Sequence, residues 1–255
     1  MAYWIDKQQH INDFISRANQ ILPEDNPLFF SGSFMSGQTK RPDILFIGIN
    51  PGHRQWRNIA ARKADTQLVA YKASPCQYIE DAKGGNRFAK RVIDIACDGD
   101  SDRLTHCAET SLLSYFASPT ESVIKAQLKQ LPKPMQEEHR QLMELDFVAI
   151  NPKHIVCIGW RTFDEFIKRY STPDKINGYQ AGRMGHAHLV TKQAPIAING
   201  KDKDVKMMDY YARAEVESIP VHGVRHFSTP LSQAMLEDMR GIFQKIWHDI
   251  AADRY

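Results

Sequence analysis

Two short stretches of the chain combine residue types that could do chemistry. Gly48-Ile49-Asn50-Pro51-Gly52 closes the apolar run Asp43–Ile49 (DILFIGI). Its two glycines let the backbone approach a ligand closely, Pro51 removes a donor and fixes φ, and Asn50 leaves a polar amide at the strand tip. As a bare pattern, it reads equally well as an ordinary strand-to-helix turn. The second stretch is Val224-Arg225-His226-Phe227-Ser228-Thr229-Pro230-Leu231-Ser232. Thr229 followed by Pro230 predicts a helix N-cap with proline at the first helical position. Free backbone N–H groups and the positive end of the helix dipole would then lie beside His226 and Ser228, a place where a phosphate can sit. In an open parallel sheet, ligands bind at the carboxyl ends of the strands, which is where both stretches would lie.

In this order, the stretches resemble the uracil-DNA glycosylase superfamily. Gly48-Ile49-Asn50-Pro51-Gly52 is similar to its first motif, closest to the mismatch-specific uracil/thymine branch, in which this position is also asparagine. His226-Phe227-Ser228-Thr229-Pro230-Leu231-Ser232 resembles the second motif, a histidine or asparagine followed by a Pro/Ser-rich loop and a leucine. Between them, Thr110–Pro119 looks like the superfamily's second strand, and Ile155–Gly159 with Trp160 and Phe163 like its third strand and following helix. The resemblance implies a monofunctional DNA glycosylase that leaves an abasic site, in repair or in defence against modified foreign DNA. It also implies DNA as partner, no cofactor and no metal.

The chemistry explains such residues. Cleaving an N-glycosidic bond builds positive charge on the sugar and negative charge on the departing base, so the site must place a water below C1′ and stabilise an anionic base oxygen. By the resemblance, Asn50 would hold the water through its amide and His226 would donate a hydrogen bond to the base. Gly48, Ile49, Pro51, Gly52, Ser228, Thr229 and Ser232 would line the base and the DNA. An amide orients but cannot accept a proton, and a general base contributes about 100-fold or more, so slow turnover is expected. A flipped base costs a few kcal/mol and needs a wedge in its place. Leu231 matches the intercalating leucine, although the loop is one residue longer than the usual motif; the other reading makes it the first apolar residue of the closing helix. Trp56 and Tyr78 are candidates for stacking on the flipped base, with a core role as the alternative. Ser111 stands where uracil-reading branches carry an asparagine. A hydroxyl leaves more room than an amide, and the expected substrate is a bulkier or modified pyrimidine rather than plain uracil.

The elements that must position these residues follow from hydrophobic patterning. Asp43–Ile49, Leu112–Phe116, His154–Gly159 and Ile219–His226 are short continuous apolar runs, the mark of strands buried on both faces of a parallel sheet. The stretches between them are long enough for crossover helices. The expected fold is therefore α/β, three-layer α/β/α, with a mainly parallel four-stranded central sheet. Apolar spacing predicts an added N-terminal helix over about 5–22, a helical segment over Glu121–Leu145 interrupted at Pro132 and Pro134, a short helix over Arg161–Tyr170 and a closing helix over Leu231–Ile250. The Gly-rich, charged stretch over about 177–208 reads as an insertion, in which Val190–Ile198 adds a strand and Asn199-Gly200 marks a hairpin turn.

Composition sets the outer bounds. With 255 residues, 42% apolar and 25% charged, the chain can bury a sizeable core as a single domain over 1–255, which excludes a disordered or fibrous protein. No window reaches the ~18 apolar residues of a membrane span, and a cytoplasmic monomer is expected. Cys76, Cys97, Cys107 and Cys157 form no C-x-x-C pair and read as buried thiols. A net charge of +3 is too mild to identify a nucleic-acid partner by itself, but Arg54, Arg57, Arg62, Lys63, Lys83, Arg87, Lys90 and Arg91 concentrate positive charge in the first third. Such runs read as solvated faces unless a ligand claims them. A non-catalytic nucleic-acid-binding module, or an enzyme acting on free nucleotides in the same crevice, is the rival reading.

Overall fold

Two mainly apolar runs, ILFIG and HIVCI, pair in parallel at the centre of the sheet, and almost every side chain in them is buried because helices cover both faces. The computed structural model describes residues 2–29, 35–38, 40–49, 76–116, 118, 120–170, 193–198, 201–206, 211–216 and 219–253. In chain order the elements are α1 (Ala2–Ile21), β1 (Met35–Gly37), β2 (Ile44–Gly48), α2 (Gln77–Lys83), α3 (Arg87–Ala96), a 3-10 segment (Ser101–His106) and β3 (Ala108–Ser111). They continue with α4 (Glu121–Lys129), α5 (Lys133–Leu142), α6 (Phe147–Ile150), β4 (His154–Ile158), α7 (Trp160–Tyr170), β5 (Gln193–Ile198), β6 (Lys201–Lys206), β7 (Tyr211–Val216), β8 (Ile219–Val224) and α8 (Gln233–Ala252).

The main sheet is six-stranded and mixed, in the order β1-β3-β2-β4-β8-β7, and this corrects the expected mainly parallel four-stranded sheet. β3, β2, β4 and β8 run parallel, while β1 pairs antiparallel with β3 at one edge and β7 antiparallel with β8 at the other. The edge strands escape an apolar-run criterion because one is only Met-Ser-Gly and the other, YARAEV, carries charge at alternate positions. A second correction concerns β3. The ladder covers Ala108–Ser111, not Leu112–Phe116, and the apolar residues Leu112, Tyr115 and Phe116 are buried where the chain leaves the sheet. The N–H groups of Leu112 and Leu113 still donate to the carbonyls of Gly48 and Ile49, at 2.9 and 2.8 Å, so this exit stays tied to the end of β2.

Helices lie on both faces over two separate cores. One core joins α1, α4, α5, α6 and α7 to Leu45, Ile47, Ala108, Ile155 and Cys157; the other joins α2, α3 and α8 to Ile44, Phe46, Val156, Ile158 and Val224. Alternate side chains of the same strands thus feed opposite layers. The prolines act as read: α4 ends at Lys129, and α5 starts at Lys133 with Pro134 in its first turn. β5 and β6 form a separate two-stranded antiparallel sheet whose register sets Ile198 opposite Lys201, and β5 is the described part of the expected Val190–Ile198 strand. The rest of the expected insertion, 177–192, the expected turn Asn199-Gly200 and 207–208, lies outside the described residues. The four cysteines are buried and unpaired, and burial pushes the Cys97 thiol up to about 12. Among the described residues, no helix is long and apolar enough to cross a membrane.

Candidate functional site

The parallel register places two of the sequence-derived positions side by side. Gly48, the last residue of β2, pairs with Ser111, the last residue of β3, at the carboxyl edge of the sheet. Ile49 follows at once, its carbonyl held by Leu113 N–H. Asn50, Pro51, Gly52 and Trp56 lie outside the described residues.

At the end of β8, the chain turns through Arg225–Ser232 into α8. Thr229 N–H and the Thr229 hydroxyl both donate to the His226 carbonyl, at 2.9 and 2.6 Å, which closes a tight turn. Arg225 Nε donates to the same Thr229 hydroxyl at 3.0 Å. Phe227 is the plug of the turn, fully buried beside Phe88 and Phe243. The predicted cap moves along the chain: α8 starts at Gln233, and Ser232, not Thr229, is its N-cap, accepting from Met235 N–H at 3.3 Å. Pro230 therefore precedes the helix, and the open N–H groups lie further from His226 than the Thr229-Pro230 pair implies. Leu231 also stands before the helix, half-buried against the core under α8. The closing helix runs Gln233–Ala252 instead of Leu231–Ile250.

The His226 ring is fixed on several sides. Ser228 N–H donates to Nδ1 at 3.2 Å. A nitrogen that accepts an N–H carries no proton of its own, so this network assigns the neutral tautomer with hydrogen on Nε2. Phe88 stacks on the ring with centroids 5.1 Å apart and planes 30° apart. Behind it is Gly159, at φ +98°, where a Cβ would come 3.7 Å from the histidine Cβ and Cδ2. That positive φ favours glycine, and Gly159 N–H also ties the exit of β4 to Val224 O at 2.7 Å. Although His226 as a residue is exposed, its ring has lost enough solvent to these neighbours that its pKa lies below the ordinary histidine value. The result is a neutral N–H donor at the carboxyl edge of the sheet.

An aromatic row connects this donor to the other end of the edge. Tyr78, in the first turn of α2, meets Phe46 and Phe88 edge-on at 5.9 and 5.7 Å, and Phe88 meets His226. The sequence reading missed Phe88, Arg91 and Glu109. Arg91 reaches from α3 to the carbonyls of Phe227 and Thr229, at 2.5 and 3.2 Å, so it is not the solvated cation its basic run suggests. Arg87 and Lys90 on the same helix are exposed. Glu109 shares a sheet face with Ser111, two residues away on β3, and accepts from the Ser36 hydroxyl at 3.0 Å, which in turn accepts from Gln77 N–H at 2.8 Å. The Tyr78 hydroxyl is a second hydrogen-bond partner of this carboxyl, and burial outweighs both bonds and pushes the carboxyl up to about 8. The available signal was an acidic residue alternating with Ala108 and Thr110 in a strand flanked by apolar ones.

Among the described residues, no group of three or more His, Cys, Asp or Glu side chains is arranged to hold a metal ion. No protein-family model matches the chain, and no curated protein matches it either.

Proposed function

We propose that the chain is a monofunctional DNA glycosylase that hydrolyses the N-glycosidic bond of a damaged or modified pyrimidine and leaves an abasic site. The observation that carries this reading is the neutral His226 ring, its Nδ1 occupied by Ser228 N–H and its Nε2 proton free to meet an anionic base oxygen. A neutral imidazole suits the task, because an imidazolium would lose its proton to the departing base rather than hold a hydrogen bond to it. Asn50, two residues beyond Gly48, orients the water, as in the superfamily the chain resembles. Leu231 is the wedge that fills the vacated stack, and Ser111 faces the base edge with a small hydroxyl in place of an amide. The finer form of the fold proposed here is the superfamily's four-stranded parallel core, β3-β2-β4-β8, to which the edge strands are additions.

The test is a panel of duplex and single-stranded oligonucleotides carrying uracil, thymine mismatches, hypoxanthine or bulky 5-modified pyrimidines, followed by alkali. Strand breaks should appear at one or more of these bases and fall by about 100-fold or more in Asn50→Ala and His226→Ala. Cleavage unchanged in both variants would remove the assignment. Uracil released faster than every modified pyrimidine, with Ser111→Asn silent, would remove the enlarged-pocket part alone.

A further inference from the structure

Helix α3 presents Phe88 and Arg91, one turn apart, to the loop that carries His226. The first stacks on the imidazole; the second places Nη1 between the carbonyls of Phe227 and Thr229. We infer that Arg91 is a positioning residue, which aims the Ser228 N–H at His226 Nδ1 and so keeps the imidazole proton on Nε2.

The inference follows from the planarity of one peptide unit. The carbonyl of Phe227 and the N–H of Ser228 belong to the same trans peptide, in which C=O and N–H point in opposite directions. Arg91 holds the oxygen end at 2.5 Å, and His226 Nδ1 receives the hydrogen end at 3.2 Å. The peptide is thus a rigid lever between the guanidinium and the imidazole. A cationic donor on the oxygen also polarises the unit and strengthens its N–H as a donor. The second bond, to Thr229 O, grips the far side of Ser228, so the peptide cannot rotate about its flanking φ and ψ without breaking a charge-assisted hydrogen bond. Arg91 and Arg225 reach the turn through different atoms: Arg225 fixes the Thr229 hydroxyl and leaves the Phe227–Ser228 peptide alone.

This role deepens the proposed activity and rests on His226 as the donor to the base, but the lever can be read in the free protein. The experiment records long-range ¹H–¹⁵N correlations of the His226 imidazole at pH 7.5 in the wild type, Arg91→Met and Arg91→Lys, with far-UV circular dichroism as the check on folding. The wild type should show a protonated Nε2 and an unprotonated Nδ1. Arg91→Met, which keeps an apolar stem, should show a mixture of tautomers. Arg91→Lys, with a point-charge donor for one carbonyl, should restore most of the wild-type pattern. If Arg91→Met does not fold, Arg91→Gln, uncharged and too short to reach both carbonyls, takes its place and should show the same mixture of tautomers.

On the oligonucleotide that the wild type cuts fastest, Arg91→Met should lower kcat by about 10- to 100-fold, the range for outer groups that orient a reacting residue, with KM changed less than about twofold. An imidazole spectrum identical in all folded variants overturns the inference, whatever the kinetics. So does a salt dependence of DNA binding reduced by about one phosphate in Arg91→Met with the spectrum unchanged, because Arg91 would then be a backbone contact. A wild type that releases no base from any probe removes the glycosylase reading, and the spectra still decide the role of Arg91.

Discussion

Replacing Glu109 with glutamine should stabilise the protein at neutral and alkaline pH, because the native state keeps this carboxyl protonated. Burial raises it from an ordinary 4.5 to about 8, against the smaller opposing effects of hydrogen bonds from the Ser36 and Tyr78 hydroxyls. Below pH 4.5, the folded and unfolded chains both hold the proton, and the group costs nothing. As pH rises from 4.5 to 8, the unfolded chain releases its proton while the folded one keeps it, so stability falls across that window. At about 1.4 kcal/mol per pH unit, the interval from 4.5 to about 8 sets an upper limit of about 5 kcal/mol. Glutamine removes this linkage and keeps an oxygen for Ser36, but its amide N–H groups replace the second carboxyl oxygen in a buried site beside the Tyr78 hydroxyl, at a cost of about 1–3 kcal/mol. The net gain at pH 8 should be at most about 2–4 kcal/mol and should turn into a loss near pH 5. Urea unfolding of both proteins at half-unit steps from pH 5 to 8 measures the difference between two curves, in which every other titrating group cancels. Parallel curves would refute the reasoning, and a difference that grows toward low pH would reverse its sign.

Gly223→Ala should cost about 1–3 kcal/mol in urea unfolding, because its Cβ would come within 2.6 Å of the buried Phe163 ring in α7; an unchanged midpoint would mean that the ring shifts freely. His139, packed against Phe14 and Phe116, has its pKa lowered to about 4, first by burial and then by Arg169. The unfolded chain takes up a proton below about 6.5 that the folded one refuses, so stability falls as pH drops from 6.5 to 4 by up to about 3 kcal/mol. His139→Phe should flatten that limb of the pH–stability curve, and wild-type and variant curves running parallel there would refute it. If α3 lies along a DNA backbone, Arg87→Ala with Lys90→Ala should lower the slope of log K against log salt by up to about 1.8, and an unchanged slope would remove these residues from the interface.

The parts of the fold that the sequence revealed are those in which burial acts on consecutive residues. ILFIG and HIVCI have helices on both faces, so their side chains are apolar apart from His154, which pairs with His222, and the strands stand out. β1 and β7 pair on one side only, and their polar or short sequences follow from that. β3 was displaced by four residues because Leu112, Tyr115 and Phe116 are buried in an irregular exit, and burial alone does not distinguish a strand from a packed loop. At the site, His226 was legible as a residue type before a Ser/Thr-Pro loop. Its stacking on Phe88 and the link of its loop to Arg91 depend on residues more than 130 positions away, and its tautomer on the turn geometry that brings Ser228 N–H to Nδ1, neither of which a local pattern encodes. The N-cap was misplaced because Thr229 and Ser232 are both good caps, and the turn hydrogen bonds to His226 engage the threonine first.

The two antiparallel edge strands have a further consequence for how copies of this protein meet. A parallel sheet left open at β3 and β8 would expose two rows of unpaired backbone donors and acceptors, an invitation to strand-to-strand association. Here β1 closes one edge with three residues ending in Gly37, at φ +91°, and β7 closes the other with a sequence that alternates Arg213 and Glu215 between small apolar residues. One edge is too short to template a neighbour, and the other carries charged side chains at alternate positions, which a dry contact between sheets would have to desolvate. Resistance to aggregation is thus built into the same two strands that leave β2, β3 and β8 free to end at the site.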